Sequence, residues 1–414
     1  MIVEEEKKPN PIHIVPDLLE EIFIGLPLKS IIRFKTVSKQ WRSILESEMF
    51  VERRMSLKKS HQKILAAYNC DCGKRPRLLP DSRSEGDEEI VFLHCNGTQQ
   101  ASMMTCDGFV CFPEPDCVNV LNPLTRQLRT FRSSRGTRSG NWVMGFGRDK
   151  VNGSYKVVRM CFEEEGYHVL DVECGKWRKL SRPPYKVNVG KKSVCVNGSI
   201  YWLKLGWGYF NILALNLHTR EFHNVSVPDT WVTQETHLVN LEERLAIAKT
   251  RTGAEWKLEI WSMDAEEEIW SNTYSISLDC LGIKPWKTTW GTWFTPVTVS
   301  KLGNVVFCDN HKKLFKYYQE TGKIHCLASD ICVISPYLEN LVSLRSELGY
   351  HSYLAIMTSR CRLFLRHLGA SSGISKLLQR IRFGILEIVF ITLVGCFLMY
   401  KQWEKNNSGM VNPA

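Results

Sequence analysis

The spacing of apolar and polar positions changes twice along the chain. Between residues 14 and 54 it is helical. Leu18, Leu19, Ile22 and Phe23 recur at one-turn spacing, followed by Ile31, Ile32 and Phe34, and then by Trp41, Ile44 and Leu45. Three short helices are predicted. Asp17, behind Pro16, is placed to cap the first. Pro27 disfavours helical geometry at Leu26, ends that helix, and suits the start of the next. Ser38 is positioned to cap the third. Gly25 costs the first helix up to about 1 kcal/mol, less if it lies at the helix end. Some forty residues of helix bury little surface by themselves, so this unit needs something to lie against.

From about residue 62 to 344 the pattern becomes short apolar runs rich in Val, Ile, Tyr, Phe and Trp, bounded by turn residues, which is the signature of strands. Turns centred on Gly73, Thr125, Gly175, Thr219, Ala265 and Thr321 recur 44 to 56 residues apart, several with an aromatic shortly after (Trp177, Phe222, Trp270). A second turn precedes five of them: Asp107-Gly108, Asn152-Gly153, Asn197-Gly198, Glu242-Glu243 and Gly303-Asn304. Asx-Gly between apolar runs is a hairpin cue because both residues tolerate positive φ. Two hairpins per period make four strands per unit, which is the repeat of a kelch-like β-propeller blade. The expected fold is therefore α+β and multidomain, with three N-terminal helices, a propeller of about six blades, and a hydrophobic helix at the C-terminus. A sandwich or two smaller sheets is the alternative for the middle of the chain.

That last helix rests on the second change of pattern. Residues 383–400, FGILEIVFITLVGCFLMY, follow a basic, Leu-dotted stretch and precede Lys401. As a helix this run is about 27 Å long, close to the thickness of a bilayer's hydrocarbon core. Lys376, Arg380 and Arg382 frame it on one side and Lys401 and Lys405 on the other, while Tyr400 and Trp403 suit an interface. Glu387 is the opposing residue, at a cost of a few kcal/mol that is smaller near a helix end. The larger basic cluster on the N-terminal side implies a single-pass tail anchor with its body in the cytosol. A helix packed on the propeller is the competing reading.

Composition narrows the chemistry. The chain has 414 residues, 44% of them hydrophobic and 23% charged, which suits a globular protein of two or three domains. Of the net charge of +11, +2 lies in residues 1–60, +6 in residues 345–414, and only +3 in the 284 residues between. With no interior basic stripe, nucleic acid is not an expected partner. The 15 cysteines include no CxxC pair, so they are read as reduced, mostly buried thiols of a cytoplasmic or nuclear protein. MIVEEEKKPN lacks the apolar region of a signal peptide. No phosphate loop, HExxH or GxSxG is present, and Gly145-Phe146-Gly147 reads as a turn. Carboxylates at 163–165 and 264–268 read as solvated loop charge, so no catalytic residue, cofactor or metal is expected. Eleven of the 13 tryptophans lie between residues 142 and 293. Blade packing accounts for most of them. A sharper reading has Trp207, Tyr209, Trp286, Trp290 and Trp293 lining a substrate-recognition face, because loop-borne Trp and Tyr dominate binding hot spots.

Two resemblances add to this. Pro16, Leu18-Leu19, Ile22, Leu26-Pro27-Leu28-Lys29-Ser30, Arg33-Phe34, Val37-Ser38-Lys39 and Trp41-Arg42 resemble the plant type of F-box, with Val15, Gly25 and Thr36 as modest departures. The resemblance implies docking onto a Skp-type adaptor and, through it, a cullin scaffold. Pro16, Leu19, Ile22, Leu26, Pro27, Ile31, Val37 and Trp41 would supply the adaptor interface and the core beneath it. Asn122-Pro123 with Thr125-Arg126, Gly145-Phe146-Gly147 with residues 155–158, Asn197-Gly198 with Tyr201-Trp202, and the closing PYLENLVSL are similar to the F-box-associated domain, regarded as propeller-like and substrate-recruiting. The expected division is an F-box at 12–56, a propeller-like domain at 62–344, a basic linker at 345–382, a candidate membrane helix at 383–400 and a polar tail at 401–414. The chain is thus expected to be the non-catalytic, substrate-recognition subunit of a ubiquitin ligase, recruiting an unknown protein. The rival readings are a membrane-tethered scaffold without ligase activity and a ligand-binding or enzymatic propeller.

Overall fold

A computed structural model of the protein describes residues 14–58, 62–69, 77–85, 88–95, 103–114, 117–132, 142–206, 210–228, 235–251, 255–281, 292–300 and 302–344. Four helices open it, one more than the apolar spacing predicts: α1 (Pro16–Gly25), α2 (Leu28–Phe34), α3 (Lys39–Glu46) and α4 (Glu48–Lys58). The extra boundary is at Ser47. It is extended (ψ 142°), and its Oγ accepts a hydrogen bond from Phe50 N at 3.2 Å, capping α4. The first cap also differs from expectation. Val15 occupies the N-cap with no side-chain bond, Pro16 is the first helical residue, and Asp17 lies in the first turn, where its charge suits the helix dipole. Ser38 caps α3 as expected, accepting from Trp41 N at 3.0 Å.

Six four-stranded sheets follow. Five are built from consecutive antiparallel strands. The first comprises β4 (Met104–Cys106), β5 (Phe109–Pro113), β6 (Cys117–Asn122) and β7 (Gln127–Arg132). Next come β8 (Trp142–Arg148), β9 (Tyr155–Cys161), β10 (Gly166–Asp171) and β11 (Lys176–Lys179), then β12 (Val194–Val196), β13 (Ser199–Leu205), β14 (Phe210–Asn216) and β15 (Phe222–Val225). The fourth blade is β16 (His237–Leu241), β17 (Arg244–Arg251), β18 (Lys257–Met263) and β19 (Trp270–Ser277), and the fifth is β20 (Phe294–Val299), β21 (Val305–Asp309), β22 (Leu314–Tyr318) and β23 (Lys323–Ala328). All five early hairpin turns fall between the first and second strands of these blades. The turns centred on Thr125, Gly175, Thr219, Ala265 and Thr321 join the third to the fourth.

The sixth blade departs from the repeat. Its order is β2 (Arg77–Glu85), β3 (Glu88–Cys95), β1 (Lys63–Asn69), β24 (Cys332–Tyr337), with β1 parallel to β3 and antiparallel to β24. The hairpin expected around Gly73 is therefore not formed, because β3 and not β2 pairs with β1. β24, which follows the fifth blade, supplies the innermost strand and closes the ring of β4, β8, β12, β16, β20 and β24, in which each strand neighbours the next. Lys316 on β22 reaches Glu88 on β3 at 3.0 Å, a buried ion pair across this closure.

Cores lie between blades, so second strands are covered on both faces and read as continuous apolar runs. All seven residues of β9 are buried, Lys156 and Arg159 among them. Lys156 Nζ bonds Asp149 Oδ2 at 2.6 Å and the Leu217 carbonyl at 2.8 Å, tying the second blade to the third. Burial alone would raise Asp149. The Lys156 ammonium and the Val151 and Asn152 amides outweigh it and hold the carboxyl below its ordinary range. Tryptophans staple neighbouring blades through Nε1: Trp177 to Arg132 O at 3.1 Å, Trp202 to Met144 O at 2.9 Å and Trp270 to Ser226 O at 2.8 Å. Gly145 and Gly147 lie within β8, not in a turn. A methyl group on Gly145 would sit 2.6 Å from Trp202 Cζ2, and one on Gly147 2.5 Å from Cys195 Sγ, so both glycines admit the third blade. The ten cysteines whose side chains are described are free thiols, and among them only Cys111 and Cys161 are buried, fewer than composition suggested. Residues 345–414, including the apolar run at 383–400, lie outside the described residues. Among the described residues no helix is long and apolar enough to cross a membrane.

Candidate functional site

Aromatic packing organises the F-box. Phe23, Phe34 and Trp41 form a triangle with ring centroids 5.0 to 6.1 Å apart, over Leu19, Ile31, Leu45 and Phe50. Of the eight residues expected at the adaptor interface or beneath it, Leu19 and Ile31 are core, and Leu26 and Trp41 are half-buried against it. Pro16, Ile22, Pro27 and Val37 are exposed. The exposed set is wider than expected. Ile14, Val15, Leu18 and Ile32 join Ile22 and Val37, with Leu18 and Ile22 one turn apart on α1. Leu18 at 52% and Val37 at 59% exposure form part of an uncovered apolar surface on a unit of only four helices. Sequence reasoning passed over Leu18 and Ile32 because helical spacing alone does not say which apolar positions face a partner.

The F-box sits on the propeller through the chain segment after β24. Leu338 and Leu341 enter the F-box core itself, with Leu124 and Val342 beside them. Asn340, fully buried, donates from Nδ2 to Asp107 O at 2.7 Å and to Tyr155 Oη at 3.0 Å, while its Oδ1 accepts from Val342 N at 2.7 Å. Asn122, equally buried, donates to the carbonyls of Asn340 and Val342 at 2.9 and 2.8 Å. Gly108 (φ +83°) lies directly under Leu338, whose carbonyl oxygen would collide with a methyl group there. From α4, Glu52 pairs with Arg148, and Arg54 Nη1 donates to Ile24 O at 2.9 Å. PYLENLVSL is thus the cement between the two parts of the molecule.

An axial cavity of about 1450 Å³ runs among the inner strands. At one end Glu48, Glu52, Met55 and Ser56 of α4 line it, together with the turns at Asp107-Gly108, Asn152-Gly153, Asn197-Gly198 and Glu242-Glu243. The inner strands begin at the other, distal end. There His237 opens β16 and Trp293 immediately precedes β20, their rings 6.2 Å apart. Asn310 Oδ1 accepts from Trp293 N at 3.2 Å, and Asn310 N donates to Trp293 O at 3.2 Å. Lys191 Nζ reaches Thr236 O at 3.5 Å. Burial first, then Lys191 and Lys192, push His237 down to about 4, against the opposing effect of Glu235. His237 Nε2 and Ser335 Oγ are buried with no hydrogen-bond partner among the described residues, and both residues line the cavity.

Of the five aromatic residues expected on a recognition face, Trp293 is at this distal mouth. Trp207, Tyr209, Trp286 and Trp290 lie outside the described residues. The strands bracketing 206–209, β13 and β14, meet at the blade end opposite the Asn197-Gly198 turn, on the side away from the F-box. Sequence reasoning missed His237, Lys191 and Lys192. The available signal was the 14-residue connection from β11 to β12, long for a propeller and carrying both lysines. Among the described residues no His, Cys, Asp and Glu cluster suited to a metal ion occurs.

Comparison with known proteins agrees with this architecture. The family described as F-box domain matches residues 13–53, and that described as F-box associated beta propeller domain matches residues 79–323. The chain belongs to this F-box family. An F-box/LRR-repeat protein of Arabidopsis thaliana is 54% identical over 417 residues, covering 94% of this chain and 97% of that protein. An F-box/kelch-repeat protein of the same plant is 54% identical over 409 residues, with the same coverage of 94% and 97%. A putative F-box protein, also from Arabidopsis, is 57% identical over 370 residues, covering 84% of this chain and 92% of its own.

Proposed function

We propose that this F-box protein is the substrate-recognition subunit of an SKP–cullin–F-box ubiquitin ligase. Its F-box binds the Skp-type adaptor and its propeller binds the target protein. The observation that carries this reading is the set of exposed apolar residues of the F-box, Val15, Leu18, Ile22, Ile32 and Val37, on helices whose inward side chains are already packed in a core that Leu338 and Leu341 join. Exposed apolar residues grouped on one face mark a partner surface. In this reading Ile22 and Val37, with Pro16 and Pro27, touch the adaptor, Leu26 and Trp41 shape the surface from below, and Leu19 and Ile31 act only as core. Catalysis is by proximity: the propeller raises the effective concentration of a lysine near the charged conjugating enzyme and supplies no acid, base or nucleophile.

The test is adaptor capture by the full chain, since Leu338 and Leu341 complete the F-box core. Leu18→Asp with Ile22→Asp is expected to abolish capture while the circular dichroism spectrum and melting temperature stay unchanged. Failure of the unmutated chain to capture the adaptor ends this reading. A membrane anchor at residues 383–400 is a separate proposal, supported by sequence hydropathy. It predicts that the full chain resists carbonate extraction and that a chain ending at residue 382 does not.

A further inference from the structure

The distal mouth of the channel gathers charged and aromatic groups away from the F-box. Three separate segments bring them together: the connection between β11 and β12 contributes Lys191 and Lys192, β16 contributes His237, and the residue before β20 contributes Trp293. We propose that this mouth is a carboxylate-binding pocket that takes an acidic segment of the substrate protein, through either an Asp or Glu side chain or a chain terminus. This rests on the substrate-receptor reading above and gives the substrate a chemical class.

An unmet hydrogen bond and the surrounding charge both bear on what this mouth can hold. His237 carries a buried ring nitrogen, Nε2, with no partner among the described residues, and it lines the cavity. A buried polar atom of this kind is costly until something bonds it. Water or a ligand oxygen both serve, and the surrounding charge chooses between ligands. The charged groups around His237 are Lys191, Lys192 and Glu235, and Asp309, opposite Phe294 at the distal end of β21, adds a second carboxylate, so with the ring neutral the mouth is balanced in charge. At the F-box end the cavity is lined by five carboxylates, Glu48, Glu52, Asp107, Glu242 and Glu243, against two cations, Arg148 and Lys150. The channel is therefore balanced in charge at its distal mouth and negative at its base. Such a gradient keeps an anion at the mouth and out of the base. There Lys192, which is exposed, supplies the charge and His237 Nε2–H the directed hydrogen bond. Trp293, 6.2 Å from the imidazole, offers a flat apolar wall to the residue beside the carboxylate. The cavity, about 1450 Å³, has room for several peptide residues.

The experiment passes two pools of random octapeptides, one with free and one with amidated carboxyl termini, over the immobilised full chain, and identifies the retained peptides by mass spectrometry. Retained peptides are expected to be enriched at least about tenfold in Asp and Glu, or in the free-carboxyl pool over the amidated one. That comparison also separates side chain from terminus. Lys192→Glu and His237→Gln are expected to lose this enrichment by about tenfold, while capturing the Skp-type adaptor as well as the unmutated chain does. Enrichment of neutral or basic peptides, no enrichment, or enrichment unchanged in both variants overturns the pocket. If His237→Gln also loses the adaptor, it has disturbed the fold, and exposed Lys192→Glu alone decides. Acidic peptides retained by a chain that does not bind the adaptor would leave the pocket standing and remove the ligase reading.

Discussion

Ile31 and Ile32 are adjacent in α2, yet one is fully buried and the other 42% exposed. In β9 of the propeller, seven consecutive residues are all buried, including a lysine and an arginine. The contrast separates the two halves of the molecule. Each blade is covered on both faces by its neighbours and the ring closes on itself, so the propeller completes its own burial. The four-helix unit packs on Leu338 and Leu341 and still leaves Leu18, Ile22, Ile32 and Val37 in water. The propeller's burial is completed within the ring, whereas the F-box's is not.

The largest expected effect tests the propeller side. Lys156→Met leaves Asp149 buried without its ammonium, which is expected to cost about 4 kcal/mol in denaturant unfolding at pH 7. The sign with pH follows from the depressed Asp149. The pair's stabilisation is fully present above the ordinary carboxylate value of about 3.9 and is lost as pH falls through the lower folded value. The difference between wild type and Lys156→Met must therefore narrow below about pH 4. A gap that widens on acidification contradicts the assignment.

Next is the isoleucine pair. Ile31→Ala is expected to cost about 3 kcal/mol of stability. Ile32→Ala should stay within about 0.5 kcal/mol in stability and instead weaken adaptor binding, read by titration calorimetry. Equal stability losses at the two positions would break the comparison drawn above. Gly108→Ala strikes the seam between the halves. With positive φ and the Leu338 carbonyl overhead, it is expected to cost about 2 kcal/mol and to raise protease sensitivity of the F-box before that of the blades. The smallest effect has the opposite sign. Glu242 and Glu243 both hold positive φ, 55° and 62°, in the first hairpin of the fourth blade. Replacing them with Asn-Gly is expected to stabilise the chain by about 1 kcal/mol, seen as a higher melting temperature.

Much of the propeller was legible because its signals are local. Asp107-Gly108 and Asn197-Gly198 take positive φ at both residues, as a two-residue hairpin turn requires. The Trp177 and Trp270 that follow the outer turns are the inter-blade staples. What was misread depends on contacts between distant residues. Gly145 and Gly147 look like turn glycines until Trp202 and Cys195, some fifty residues on, are seen to occupy the space a side chain would need. The hairpin expected at Gly73 is replaced by a different order, because β3 inserts between β1 and β2 and β24, more than 250 residues later, takes the other edge of β1. In the candidate sites, Ile22 and Val37 are exposed and Trp293 lies at the channel mouth, whereas the exposure of Leu18 and Ile32 and the meeting of His237 with Lys192 depend on distant segments.

The amino-acid sequence by itself determined the four-strand period, the positions of its hairpins, the capping of α3 by Ser38 and the F-box family. Each of these follows from residue preferences within a few positions of one another, where φ tolerance, side-chain capping and apolar spacing act directly. Only the tertiary structure decided which apolar face of the F-box stays uncovered, how Asn122 and Asn340 join it to the propeller, and which charges meet at the channel mouth. Those are set by segments far apart in the chain. Their juxtaposition follows from closing a ring of six blades, and no local pattern records it.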